Sequence, residues 1–390
     1  MSKTLQDYAT LINDTIQSNE INHYITTDNM CQNLGGIDTF KNVNIPQGKV
    51  RSFQKDDILL SNIRLYFRKV YRAKQKGGCS SDVLVFRAKH IDSVTLFAIL
   101  SSQIFTDYAC SGSQGSKMPR GNKTHMMDFK IPTINFTIAK IFNSIQNKIE
   151  NNHKINELLH KILELLYEQY FVRFDFLDEN NKPYQTSGGK MKFSKELNRL
   201  IPNDFEVKTL GELITWISGS QPPKSCHIYE HKEGYIRFIQ NRDYSSNDYI
   251  TYIPISKNNK ICYQYDIMMD KYGEAGAVRF GLQGAYNVAL SKISVLNQSM
   301  QEYIRSYLNS KPIKKYLSNA CMASTRSSLN ENHIYSLMLP IPPINLLQKY
   351  EKIAKNIITA IIKNNQATQT LTALRDFLLP LLLKQQVKPK

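Results

Sequence analysis

The sequence lacks the features that mark a membrane or secreted protein. Its longest apolar run, Phe377 to Leu383, is far shorter than the roughly 18 residues that a membrane-spanning helix needs. The first twenty residues include three acidic side chains and no apolar core of a secretory signal. The six cysteines lie about thirty or more residues apart, which excludes a C-x-x-C zinc site and a dense disulfide framework. We therefore expect a cytoplasmic protein with reduced thiols, no bound metal and no membrane contact.

The usual signatures of catalysis are also missing. The run from Gly112 to Lys117 is glycine-rich but lacks the Walker A spacing, and Met118 stands where Ser or Thr would bind magnesium. His227 and His231 are four residues apart without the adjoining glutamate of a zinc protease. An enzyme with an unrecognised nuclease site is an alternative, which metal-dependent cleavage by the purified chain would support.

Acidic side chains are scarce relative to basic ones. The chain has 33 Asp and Glu against 50 Lys and Arg, a net charge of +17. Between Lys41 and His90 there are twelve basic and three acidic residues, so more than half of the surplus lies in one stretch. Clustered cations gain free energy by displacing counterions from phosphates. The stretch lacks the pattern of a basic amphipathic helix, so we expect a nucleic acid rather than a membrane surface as partner. A solvated basic surface is the alternative.

The chain repeats itself at an interval of 208 to 213 residues. DDILLSN (56–62) recurs as YDIMMDK (265–271), and FKIPTI (129–134) matches MLPIPPI (338–344). Several such pairs occur in the same order, so we interpret the chain as two diverged copies of one unit. In the first part of each copy, short alternating apolar runs bounded by Gly and Pro predict strands with helices between them.

The second part of each copy is a long helical pattern. Seam positions recur every three or four residues from Ile138 to Leu166 and from Leu347 to Leu378. This spacing is typical of paired helices, and the first seam includes Ile141, Ile155 and Ile162. Separate packing of each helix on its own domain is the alternative.

Both helical patterns carry a polar residue midway, Asn152 and Asn364. A buried Asn in a helix seam costs stability but can fix the register, so both residues favour mutual pairing. Pro380 should kink or end the second helix. Residues 173–202, between the copies, are rich in Asp, Asn, Ser and Gly, which predicts a polar linker outside the core.

Several segments together resemble the specificity subunits of type I restriction-modification systems. They are DDILLSNIRLYFRKV (56–70), GGCSSDVLVFRAK (77–89), KMPRGN (117–122), the passage from residue 171 to 213, GYIRFIQNRDY (234–244) and LRDFLLPLLL (374–383). The resemblance covers essentially the whole chain. It implies an α+β fold, in which two mixed α/β target-recognition domains form an internal repeat and are separated by two long antiparallel coiled-coil helices.

The resemblance also implies a division of the chain. It places the recognition domains at residues 1–134 and 203–340, the helices at 135–172 and 341–390, and the linker at 173–202. The segment before the first domain, Lys3 to Tyr8, is shorter than the segment before the second, Ile201 to Leu213. The sequence therefore does not establish whether the first domain has the N-terminal strand.

By the same resemblance, the chain is not itself an enzyme but a subunit of an adenine-specific methyltransferase and restriction endonuclease complex. It would read a bipartite target in double-stranded DNA and dock two methyltransferase subunits, with restriction subunits in the full complex. S-adenosylmethionine, ATP and Mg²⁺ would bind those partners and not this chain. A free-standing DNA-binding regulator is the alternative, and it would purify without enzyme partners.

DNA readers place Lys and Arg on phosphates, and Arg, Asn or Gln on base edges. We predict such contacts from residues in basic, turn-rich segments. In the first domain they are Arg64, Arg68, Lys117, Arg120 and Lys123. In the second they are Arg237, Gln240, Asn241, Arg242, Lys271 and Arg326. Ordinary surface charge is the alternative for each, and no residue is predicted to be catalytic or to bind metal.

Overall fold

The fold is described from a computed structural model of the chain. The residues it describes are 3–39, 41–131, 135–245, 249–323 and 328–384. They form two compact units, Met1–Glu157 with Asn364–Lys390, and Leu158–Lys363. The unit boundaries fall inside two long helices, so each helix contributes one part to each unit.

The first unit contains two four-stranded sheets. Its strands are β1 (Ala9–Ile12), β2 (Thr15–Gln17), β3 (Tyr24–Ile25), β4 (Lys49–Phe53), β5 (Ile58–Ser61), β6 (Val70–Arg72), β7 (Gly77–Cys79) and β8 (Val83–Ala88). One sheet has the order β1-β8-β5-β6 and is antiparallel. The other has the order β2-β4-β7-β3, with β3 parallel to β7. Its helices are α1 (Leu5–Tyr8), α2 (Ser93–Leu100), α3 (Gln103–Ser111), α4 (Lys123–Met127) and the first part of α5 (Phe136–Tyr167).

The central strands of this unit are apolar on both faces because both faces are covered. Ile58 and Leu60 of β5 pack in a cluster with Leu96 and Phe97 of α2. Leu59, between them, packs in a separate cluster with Phe53 of β4 in the other sheet. Side chains alternate between the faces of a strand, so a continuous apolar run is what a strand between two layers requires.

The second unit repeats this arrangement. Its strands are β9 (Met191–Ser194), β10 (Arg199–Pro202), β11 (Glu206–Thr209), β12 (Ile214–Ser218), β13 (Tyr235–Ile239), β14 (Thr251–Pro254), β15 (Ile261–Cys262), β16 (Ile267–Asp270), β17 (Val278–Arg279), β18 (Gly284–Tyr286), β19 (Leu290–Val295) and β20 (Met338–Ile341). The sheet β12-β19-β16-β17 is antiparallel and corresponds to β1-β8-β5-β6. Its helices are α6 (Gln301–Asn309), α7 (Lys311–Ala323), α8 (Asn332–Tyr335) and part of α9 (Ile344–Lys384).

The second sheet of each unit shares three strands and differs in the fourth. β18 pairs antiparallel with β15 and parallel with β13, as β7 does with β4 and β3. The added strand β2 joins β4, whereas β14 joins β13. The two copies have therefore gained their fourth strands at opposite edges of the same three-stranded sheet.

The lead-in to the first domain has the same local structure as that of the second. Thr209 pairs with Met338 in the β11–β20 ladder, and Thr4 forms an isolated bridge with Lys130. Each threonine then begins a capping box, with Asp7 in the first domain and Glu212 in the second. In the first domain, the single bridge between Thr4 and Lys130 thus takes the place of strand β11 of the second domain.

The internal repeat and the paired helices are confirmed. In the first unit, Asn152 Nδ2 donates to Thr368 Oγ1 at 3.1 Å, and Asn364 Nδ2 donates to Asn156 Oδ1 at 3.0 Å. Residue numbers rise along α5 as they fall along α9, so the pairing is antiparallel. Asn152 and Asn364 both lie in the seam, but each bonds a different partner.

The predicted seam of α5 was right in part. Ile138, Ile145 and Asn152 are buried, whereas Ile141, Ile155 and Ile162 are exposed. The buried face also includes Phe142, Ile149 and the polar residues Gln146 and Asn156, which the predicted seam left out. The periodicity identified the helix but combined residues of its buried and exposed faces.

Pro380 does not end the second helix, which continues as α9 to Lys384. Its ring lies near the C-terminal end, where loss of one backbone hydrogen bond affects only the last turns.

The prediction that residues 173–202 are a polar linker outside the core was also wrong. β9 and β10 form an antiparallel hairpin there. Phe174, Phe176 and Ile201 are buried in the core of the second unit. The Phe176 ring stacks 4.9 Å from that of Tyr184. The polar residues form turns at the surface, and the few aromatic residues between them supply the packing.

Replacing Phe176 by alanine should lower the free energy of unfolding by about 3 kcal/mol, because it empties a buried aromatic site. Phe193→Ala is the control, since the Phe193 side chain is 59% exposed in the same hairpin region. It should change stability by no more than about 0.5 kcal/mol. Urea denaturation of both variants measures the difference, and equal small effects would restore the linker interpretation.

Candidate nucleic-acid interface

In the first domain, the chain leaves β5 through a turn with unusual backbone angles. Arg64 and Arg68 have φ values of 51° and 49°, in the left-handed region, on either side of a 3₁₀ turn. A left-handed backbone conformation at each arginine lowers the folding free energy gain by on the order of 1–2 kcal/mol, so contacts with surrounding residues must stabilise it. The backbone N–H of Arg64 donates to Pro119 O at 2.9 Å, and that of Gly121 donates to Asn62 O at 3.1 Å.

These bonds join the turn to a second loop that ends in basic side chains. Gln114 and Arg120 exchange backbone hydrogen bonds of 2.9 and 2.8 Å, which close the loop. Lys117 is exposed within it, and its carbonyl accepts a hydrogen bond from Arg64 Nη2 at 3.4 Å. Arg120 is exposed and forms a 3.1 Å ion pair with Asp82. The structure therefore brings Arg64, Lys117 and Arg120 to one surface.

The other two candidates of this domain lie differently. Arg68 points into the domain, where Nη2 donates to Ser101 O at 2.9 Å. Burial lowers the pKa of its guanidinium, and the internal hydrogen bond keeps the group away from the surface where a phosphate would bind. Lys123 is exposed at the first position of α4, after the capping residue Asn122.

In the second domain, a short 3₁₀ helix follows β13 and carries two candidates. Asn241 Nδ2 donates to Tyr272 O at 3.4 Å, which ties this helix to the loop after β16. The exposed Arg242 guanidinium lies 5.8 Å from the centre of the Tyr249 ring. Lys271, in the loop after β16, donates to Ser218 Oγ at 3.4 Å.

The remaining candidates of the second domain are less exposed or not described. Gln240 Nε2 lies 3.5 Å from Thr251 Oγ1, and its backbone N–H donates to Asp243 at 2.8 Å. Burial raises the pKa of the Asp243 carboxyl, against the effects of that hydrogen bond and of the nearby Arg237 and Arg242. Arg237 is half-buried in β13. Arg326 lies outside the described residues.

The structure adds three residues that the sequence did not identify. Asn62 is buried beneath the first-domain loops, and its Oδ1 has no hydrogen-bond partner among the described residues. Tyr249 and Tyr272 are exposed beside Arg242 and Asn241. Exposed aromatic rings can stack on bases. In the sequence, only the position of the two tyrosines in turn-rich segments beside candidate cations could have indicated them.

Within the described ranges, no group of three or more His, Cys, Asp or Glu side chains is placed to hold a metal ion. No helix in that part of the chain combines the length and the apolarity that crossing a bilayer requires.

Comparison with known sequences points to one kind of protein. A family model described as the type I restriction modification DNA specificity domain matches residues 202–373. The chain is 24% identical over 300 residues to the type I restriction enzyme MjaIX specificity subunit of Methanocaldococcus jannaschii, covering 74% of this chain and 67% of that protein. It is 22% identical over 179 residues to the MjaVIII specificity subunit of the same organism, covering 45% of this chain and 41% of that protein.

Comparison with solved structures supports the fold. The S subunit of a type I restriction-modification system from M. genitalium matches with a TM-score of 0.62 at 15% identity, over 98% of this chain and 95% of that one. At this identity the likeness shows the fold alone.

If Lys117 contacts a phosphate, Lys117→Ala should weaken binding to target and non-target DNA alike. The slope of log affinity against log salt should become less steep by about 0.9, because one counterion fewer is released. Salt titrations of both DNAs measure this, and weakening on the target alone would make Lys117 a base contact.

Arg242→Ala should behave differently if the guanidinium reads a base. Binding to the target should fall by roughly 1–3 kcal/mol, with one half of the site relaxed and non-target binding little changed. Competition binding with substituted targets measures this. An equal loss on all DNA would assign Arg242 to the backbone.

Proposed function

We propose that this chain, which belongs to the family of type I restriction-modification specificity subunits, reads a bipartite DNA target and docks methyltransferase subunits on its long helices. Specificity subunits are the non-catalytic DNA-recognition subunits of these systems. The observation that carries the proposal is the structural repeat, because a reader of two half-sites needs two equivalent surfaces with different side chains.

The two surfaces correspond at the loops that follow β5 and β16. Asn62 follows β5, and Lys271 occupies the equivalent position after β16. The Asn62 carbonyl accepts the N–H of Gly121, and the Lys271 carbonyl accepts that of Leu329 at 3.2 Å, 208 residues later. Equivalent backbones thus carry different side chains, the buried amide of Asn62 in one domain and the ammonium of Lys271 in the other. Different side chains on the same frame would prefer different bases.

Partner docking is supported by the outer face of α5. In the second unit, Leu158, Ile162 and Leu165 are all about half exposed and lie on one side of the helix, at spacings of four and three residues. A row of exposed apolar side chains marks an interaction surface. We assign it to a methyltransferase subunit. S-adenosylmethionine would then be held by that partner, and ATP and Mg²⁺ by the partner subunits of the full complex.

The direct test is the methylome of cells with and without this chain. Loss of the chain should abolish methylation at one motif made of two short sequences separated by a spacer of fixed length. An unchanged methylome, or the loss of a continuous motif, would contradict the proposal.

The purified chain should transfer no methyl groups, and activity should appear when methyltransferase subunits and S-adenosylmethionine are added. Ile162→Asp should prevent this and abolish co-purification, because it places a charge in the apolar row. Ile162→Leu keeps the apolar contact and is the control. Normal co-purification of the aspartate variant would remove this face from the interface.

A further inference from the structure

A buried arginine lies between the helix pair and the first recognition domain. The side chain of Arg375, in α9, is 2% exposed. Its Nη1 donates to Asn33 O at 3.1 Å and to Gln146 Oε1 at 3.2 Å, and its Nε donates to Asp376 Oδ1 at 3.0 Å. A buried guanidinium is costly unless its donors are paired, so these contacts define its position closely.

The loop that Arg375 contacts, Cys31–Gly36, has a conformation that needs external support. Asn33 and Leu34 have φ values of 52° and 61°. Leu34 is fully buried, and a bulky side chain rarely adopts this left-handed conformation. Side chains of α5 bind the carbonyls that this backbone presents. Gln146 Nε2 donates to Leu34 O at 2.5 Å, and His153 Nδ1 lies 3.2 Å from Gly35 O.

The same loop holds the recognition turn through its backbone N–H groups. The N–H of Asn33 donates to Phe67 O at 2.9 Å, and that of Leu34 donates to Arg68 O at 3.1 Å. This is the turn whose Arg64 is bonded to Pro119 and to Lys117. A continuous series of hydrogen bonds therefore runs from α9, through the Cys31–Gly36 loop, to the basic surface of the first domain.

We propose that Arg375 is a positioning residue that sets the base preference of the first recognition domain from the helix pair. The proposal rests on the function proposed above, since it assumes that the first-domain loops read DNA. Arg375 would act only through the backbone of the Cys31–Gly36 loop and the recognition turn, without touching DNA itself.

The contact is specific to one copy of the repeat. The Asn152–Thr368 and Asn364–Asn156 hydrogen bonds relate the two helices at an offset of 212 residues, so the counterpart of Arg375 is Leu163, a buried apolar residue of α5. The proposal therefore concerns one half-site only. A residue that merely stabilised the first unit would change its melting temperature without changing its base preference.

The test is selection of bound DNA from a random library by the full chain with its methyltransferase partner. Arg375→Met keeps the length of the side chain and removes its donors. It should reduce discrimination in the first domain's half-site by about tenfold and leave the other half-site unchanged. The half-site that Arg242→Ala relaxes is assigned to the second domain. Arg375→Lys, which keeps one charged donor, should recover part of the loss.

Thr368→Val is the matched control. It removes the partner of Asn152 from the same helix pair, two turns before Arg375, without touching the loop. It should lower the melting temperature while both half-site preferences persist. If Arg375→Met does not fold, Gln146→Leu, which removes the contacts to Leu34 and Arg375, should relax the same half-site.

Two kinds of result would contradict these proposals. Equal relaxation of both half-sites, or unchanged preferences in folded Arg375→Met or Gln146→Leu, would overturn the positioning role. Failure of the unaltered complex to select any target would instead overturn the proposed function itself.

Discussion

The antiparallel pairing of α5 and α9 is the constraint on which the first unit depends. Its middle is held by amide and hydroxyl groups, including Asn152 with Thr368 and Asn156 with Asn364. An apolar seam could slip by a turn with modest loss, whereas a buried amide that loses its partner pays a desolvation cost of about 1–3 kcal/mol. These contacts therefore fix the register. The register in turn places Arg375 beside Gln146 and the Cys31–Gly36 loop.

Much of this fold could be predicted because its central strands are covered on both faces. Buried strands such as β5 and β16 must remain apolar at nearly every position, so their sequences stayed similar enough to reveal the repeat. The exposed face of α5 could not be separated from the buried one, since periodicity reports apolar residues and not what covers them. The hairpin at residues 173–202 was missed for a related reason, because a few aromatic residues supply packing that average composition hides.

The residue types of the candidate site could be predicted from the sequence, but the directions in which the side chains point could not. Arg64 and Arg68 are four residues apart in one basic segment, yet one lies beside the exposed Lys117 loop and the other bonds Ser101 inside the domain. Both residues have the same left-handed backbone conformation, so the difference comes from the surroundings of each side chain, which the residue types do not reveal. The second unit likewise contains a buried cation, Arg305, whose Nε donates to Glu302 at 2.7 Å. The basic residues of the sequence therefore include both exposed charges and buried hydrogen-bond donors, and only the fold distinguishes the two.

The opposite placement of β2 and β14 has a consequence for how such a chain can change. Each of these strands lies at an edge of the second sheet of its unit, and that sheet contains neither β5 nor β16. A strand gained or lost at an edge needs new pairing on one side only. In the first domain β5, which leads into the recognition turn, pairs with β6 and β8 and is independent of β2. In the second domain β14 pairs with β13, which leads into the 3₁₀ helix that carries Arg242. The first domain can thus tolerate the loss or gain of β2 without shifting the residues at its basic surface, whereas a change at β14 would reach Gln240, Asn241 and Arg242 in the second. The two copies of the repeat therefore differ in how freely their outer sheets can diverge.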